Sequence, residues 1–154
     1  MIMLTMNEKD KHEMLEAILD ENESYQCKLW AVIMAGADTY ALIGGLSTLT
    51  KGAAAALGAL SNAYCYMGLT EKHLNIVIVN SIDVSSIENR LSLPLSSITK
   101  AKVKGGLLPG RKVAMLYFGK DKMKISLMNH AIGSDIQNQK ENVEKFCQVV
   151  SKLG

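Results

Sequence analysis

Between residues 63 and 128 short apolar runs follow one another, each closed by a turn signal, and this rhythm leaves few folds open to the chain. Tyr64 to Met67 leads into a turn at Gly68 to Lys72. Leu74, Ile76 and Ile78 then alternate with Asn75, Val77 and Val79 as far as Asn80. Two further crossings are expected at Leu91 to Leu95 and at Ile98 to Lys104. In the second of these, Ala101 and Val103 face away from Lys100, Lys102 and Lys104, because successive side chains on a strand point to opposite sides. The stretch GGLLPG at 105–110 reads as a hairpin loop. Strands Lys112 to Phe118 and Lys122 to Met128 follow, joined by Gly119, Lys120 and Asp121. Short strands with regularly spaced turn signals indicate antiparallel β-structure.

The flanks carry a different period. Residues 5–19 read as an amphipathic helix with Leu15, Ile18 and Leu19 on one face, and Thr5 with Glu8 fits a capping box. Leu29, Trp30, Val32, Ile33 and Met34 form a strand bounded by Gly36 and Asp38. Within 41–62, Leu42, Leu46, Leu49, Ala53, Leu57 and Leu60 recur at helical spacing among several glycines, so a broken helix or small helical hairpin is expected there. Roughly 135–153 is a second amphipathic helix, with Val143, Phe146, Cys147, Val150 and Leu153 on its apolar face and Ser134 with Gln137 as a capping box. Its apolar stripe needs the open end of a barrel, or the space between two sheets, to cover.

A chain of 154 residues, 48% hydrophobic and 21% charged, is one globular domain's worth. Its three cysteines, Cys27, Cys65 and Cys147, form no CxxC pair, and its three histidines are scattered. Disulfide frameworks and metal-ligand spacings are therefore not expected, nor is any cofactor, and the cysteine usage suits a reducing, cytoplasmic compartment. Residues 1–24 hold seven acids and two lysines, unlike the basic start of a secretory leader. Lys51 interrupts the Ala/Gly-rich segment, which argues against a span of about 20 apolar residues. GLSTLTKG at 45–52 lacks the Gly before and the Ser or Thr after Lys51 that a phosphate-binding P-loop requires.

Several local segments resemble a known family. About six or seven antiparallel strands capped by one C-terminal helix resemble the pleckstrin-homology-like superfold. MGLTEKHL at 67–74 is similar to the strand–turn–strand signature of bacterial PH-like domains, a small-x-Thr-Asp/Glu-x-Arg-Leu pattern, with His73 where arginine is commoner. SLPLSSI at 92–98 resembles that family's Ile-Pro-Leu-x-x-Ile segment, and NVEKF at 142–146 matches its last helix in kind. An acidic helix followed by ESYQCKLWA at 23–31 is similar to its lead-in. The resemblance implies an α+β fold: an antiparallel barrel or split barrel over 25–154, preceded by an acidic lead-in at 1–24, carrying the Ala/Gly-rich helical insertion at 41–62 and capped by the helix at 135–153. It implies a non-enzymatic binding or assembly domain, since such folds serve lipid, peptide and oligomer contacts.

Charge points to a candidate surface. Residues 100–124 carry Lys100, Lys102, Lys104, Arg111, Lys112, Lys120, Lys122 and Lys124 against one acid, Asp121. If the strands share a sheet, Lys100, Lys102 and Lys104 meet Lys120, Lys122 and Lys124 in a basic patch that would attract anionic lipid or an acidic protein. The plain alternative is a solvated face on which lysine discourages edge pairing. Leu107 and Leu108, at the loop tip, would make an apolar contact with a bilayer or partner, or else fold back on the core. A structural homo-oligomer, in which the acidic helix of one copy answers the basic face of the next, is the second reading. Nucleic acid is the less favoured partner, and no small-molecule substrate is indicated. No nucleophile, base and orienting acid come together in the sequence, so catalytic residues are not expected. His73, at a turn, is either a pH-sensitive contact or an ordinary exposed histidine.

Overall fold

A computed structural model describes residues 5–34, 62–105, 110–119, 121–129 and 134–153. Among the described residues, seven strands form one antiparallel sheet: β1 (Cys27–Met34), β2 (Asn62–Leu69), β3 (His73–Val79), β4 (Ile87–Pro94), β5 (Lys100–Gly105), β6 (Arg111–Phe118) and β7 (Asp121–Met128). Their order across the sheet is β4-β3-β2-β1-β7-β6-β5, so β1 joins two meanders. Helix α1 (Glu8–Glu16) precedes the sheet and helix α2 (Gln139–Val150) follows it. Antiparallel strands with a C-terminal helix packed on them are what the family resemblance implies. The Ala/Gly-rich insertion expected at 41–62 lies outside the described residues, apart from Asn62, which begins β2.

The inner face carries the larger core. Leu29, Ala31 and Ile33 of β1 lie with Cys65, Met67 and Leu69 of β2, Leu74, Ile76 and Ile78 of β3, and Leu116, Met123 and Ile125 of β6 and β7. Val143, Phe146, Cys147 and Val150 of α2 close this core. Each fully buried side chain of this size contributes roughly 1.5–3 kcal/mol by leaving water. The join between the two meanders is narrow: among the described residues, only Val32↔Ser126 and Ile33↔Ile125 pair β1 with β7. Beyond that point β1 would leave backbone groups bare, and α2 supplies them with partners. The Gln139 amide donates to the carbonyls of Trp30 and Met128, both at 2.9 Å, and its oxygen accepts from Trp30 N–H at 3.2 Å. Asn142 Oδ1 accepts from Lys28 N–H at 3.2 Å. A buried, fully bonded glutamine costs little, whereas bare strand groups would be expensive.

The outer face of β1–β3 holds a second core beneath α1. Leu15 of α1, with Met6, packs on Trp30, Tyr66, Val77, Val79 and Val84. The chain start is sewn to the approach to α2. Lys11, 2% exposed, pairs with Glu8 at 2.8 Å and donates to Gln137 O at 3.2 Å. Asp135 accepts from Glu8 N–H at 3.0 Å, and the Ser134 hydroxyl donates to Met6 O.

Both expected capping boxes are displaced. Helix α1 is capped by Asn7, whose side chain accepts from Asp10 N–H at 2.9 Å, rather than by Thr5. Helix α2 starts at Gln139 after Asn138, which takes a left-handed conformation, rather than after Ser134. Ser134 is drawn away by Met6, and its oxygen accepts from Ile136 N–H instead of from the helix.

The resemblance motif at 67–74 has a local physical reason. Thr70 is fully buried, its hydroxyl accepts from the backbone N–H groups of Lys72 and His73 at 3.1 and 2.8 Å, and it shapes the β2–β3 turn. A Cβ on Gly68 would lie 2.4 Å from the Tyr25 ring, so only glycine admits that ring against the strand. Tyr25 is itself fixed, donating to Leu15 O and accepting from Asn75 at 3.1 Å.

Candidate functional site

The outer face of β5–β6–β7 is built by alternation. On β5, residues Ala101 and Val103 pack on the inner core, which turns Lys100, Lys102 and Lys104 outward, all exposed. On β7, buried Met123 and Ile125 turn Lys122 and Lys124 outward in the same way. Strand β6 lies between them, and its register aligns the side chains in rows. Lys100, Tyr117 and Lys122 form one row, Lys102, Met115 and Lys124 a second, and Lys104, Val113 and Ser126 a third. Two lines of lysine therefore flank a half-buried line of Val113, Met115 and Tyr117.

Strand spacing sets the dimensions. Neighbouring strands are about 4.8 Å apart, and alternate residues along one strand about 6.8 Å. The five lysine positions thus spread over roughly 10 by 14 Å. Two charges about 10 Å apart repel by only about 0.4 kcal/mol in bulk water, and physiological salt screens this further. The face is tolerated without a partner, and the repulsions are relieved together when anions cover it. Lys100 Nζ sits 6.0 Å from the Tyr117 ring centroid. Among the described residues, no carboxylate pairs with Lys100, Lys102, Lys104 or Lys124.

Not every basic residue singled out in the sequence joins this face. Arg111 lies at its end, half-buried, with Nε donating to Ser126 Oγ at 2.9 Å and its other nitrogen 3.8 Å from Met34 Sδ. Lys112 falls on the opposite side of β6, where its charge acts on the Cys147 thiol of α2. Lys120, Leu107 and Leu108 lie outside the described residues. The stripe Val113–Met115–Tyr117 was missed at the sequence level, although the same alternation that placed the lysines could have found it.

Other reactive groups are accounted for by burial. All three cysteines are free and buried. Burial pushes the Cys27 thiol up to about 12 and raises Cys65 and Cys147 as well, so none is a thiolate at neutral pH. A polar cleft of about 430 Å³ lies beside the start of α2, lined by Asn129, Ser134, Ile136, Asn138, Gln139, Lys140 and Glu141. No described helix is long and apolar enough to cross a membrane.

No protein-family model matches the chain, and no curated protein matches it. Among solved structures, the hSac2 domain from human phosphoinositide phosphatase Sac2 superposes with a TM-score of 0.47 at 10% identity. The match spans 92% of this chain and 73% of that one.

Proposed function

We propose that this chain is a non-enzymatic binding module of the pleckstrin-homology-like kind that docks on an anionic membrane surface through the outer face of β5–β7. The observation that carries this reading is the register itself, which sets Lys100, Lys102 and Lys104 opposite Lys122 and Lys124 across a half-buried stripe on an exposed face. Lysine is a hydrated point charge on a flexible stem and makes no demand for bidentate geometry. It suits a diffuse layer of mobile headgroups better than a fixed constellation on a folded partner. Tyr117 offers an amphipathic ring of the type found at membrane–water boundaries.

Co-sedimentation with vesicles tests the proposal. Neutral and anionic vesicles are compared at low and physiological salt, with wild type and a Lys100→Glu/Lys102→Glu/Lys104→Glu variant. Each basic residue near an anionic surface contributes about 1 kcal/mol, so the variant should lose at least about a hundredfold in binding. Absence of wild-type binding to anionic vesicles in low salt would overturn the membrane reading.

The second reading is a homo-oligomer. Helix α1 lies on the other half of the same outer face and exposes Glu13 and Glu16, although Glu16 already faces Lys28 at 3.6 Å. Light scattering that shows an assembly at low salt, dissolved by salt and indifferent to lipid, would favour a contact of this acidic helix with the lysine face of another copy.

A further inference from the structure

One histidine and two acids scattered in the sequence meet at the edge of the β2–β3 turn. Asp20 and Glu23 lie three residues apart in the loop after α1, and His73 is the first residue of β3. One potential ligand atom from each falls within 4.8 Å of the others. His73 Nδ1 is 2.9 and 3.0 Å from the two oxygens of Glu23. The Glu23 carboxylate is fixed from behind, because the buried Thr70 hydroxyl donates to it. Contacts with His73 and Thr70 hold its carboxyl down at about 2.

We propose that Asp20, Glu23 and His73 form a binding site for a divalent transition metal of the zinc type. An imidazole nitrogen with two carboxylates is a borderline donor set of the kind zinc accepts, and three protein ligands leave a position for water. Zinc lies about 2.0–2.2 Å from nitrogen and oxygen ligands, so tetrahedral neighbours stand about 3.3 Å apart. The His73–Glu23 separation has to widen by only a few tenths of an ångström, which exposed Asp20 and half-buried His73 can accommodate. A cleft of about 150 Å³ lined by Asn22, Glu23, Ser24, Glu71 and Lys72 adjoins Glu23 and gives water access. Thr70 is the outer support that carboxylate ligands need. Bound metal would pin the loop at 20–23 to the β2–β3 hairpin.

The test is calorimetric titration of zinc chloride into the full chain after chelator treatment, with His73→Gln, Asp20→Asn and His12→Gln variants. One zinc per chain is expected, with affinity lowered more than tenfold by His73→Gln and by Asp20→Asn, since even outer-support changes cost 10–100-fold. His12→Gln, at the separate contact with Glu16, should leave it unchanged. Asp20 is exposed, so its variant keeps the fold, which circular dichroism verifies. Nitrogen chemical shifts of the His73 ring should report metal at Nδ1 on zinc addition. No zinc binding by wild type, or zinc binding unaltered by both His73→Gln and Asp20→Asn, would overturn the site.

Discussion

The two halves of the outer sheet face are built on the same alternation and end differently. On β1–β3 the outward residues include Trp30, Tyr66, Val77 and Val79, and α1 covers them with Leu15, joined by Met6 from the segment before the helix. On β5–β7 the outward residues include five lysines around Val113, Met115 and Tyr117, and these lysines stand exposed. An antiparallel sheet tolerates water on one side when that side is polar. Residue type on one period-2 register thus decides which half recruits a helix and which stays available to a partner. The first half should answer mutation in stability and the second in binding.

That contrast can be broken experimentally. Leu15→Ala removes the side chain that docks α1 and should cost about 2–5 kcal/mol in denaturant unfolding; a loss below about 1 kcal/mol would mean that the covered half does not depend on its helix. Gly68→Ala forces a methyl into the Tyr25 ring, which two hydrogen bonds hold in place, and should cost about 1–3 kcal/mol. On the lysine half, Lys102→Ala should change stability by no more than about 0.5 kcal/mol. The same variant should weaken binding to anionic vesicles about fivefold, as expected for about 1 kcal/mol per basic residue. A stability loss as large as that of Leu15→Ala would erase the distinction between the halves. The smallest effect concerns chemistry: Cys27, Cys65 and Cys147 should resist alkylation in the native protein and react only after denaturation, counted by mass.

Much of the fold could be read from local patterns. The strands from β2 to β7 announce themselves by alternation and by glycine turns, of which Gly110 and Gly119 do take positive φ. The amphipathic stripe of α2 is plain from Val143 to Val150. Helix starts were less legible, since Thr5 and Ser134 carry the right chemistry but tertiary partners took them or stood in for them. Asn7 wins at α1 because its backbone is itself held by the Tyr66 hydroxyl, which accepts from Asn7 N–H at 2.9 Å. Val77 and Val79 alternate with inward residues yet are buried, because a helix from far away in the sequence covers them. Of the basic cluster, the lysines on alternate positions were legible as one face. The exclusion of Lys112 and the engagement of Arg111 follow from register and from a neighbouring strand.

The sequence by itself determined the period: which side chains share a face, where strands turn, and that lysines of β5 would point away from Ala101 and Val103. Those properties follow from φ and ψ and from the residue's own chemistry, which act over a few positions. Only the tertiary structure decided which faces meet. It set β6 between the lysine strands, laid α1 over one half of the sheet and not the other, and bridged the β1–β7 opening with Gln139. It also brought His73 to Glu23, 50 residues away along the chain. Such meetings depend on the closing of long loops and on the total burial gained, quantities that no short stretch of sequence contains.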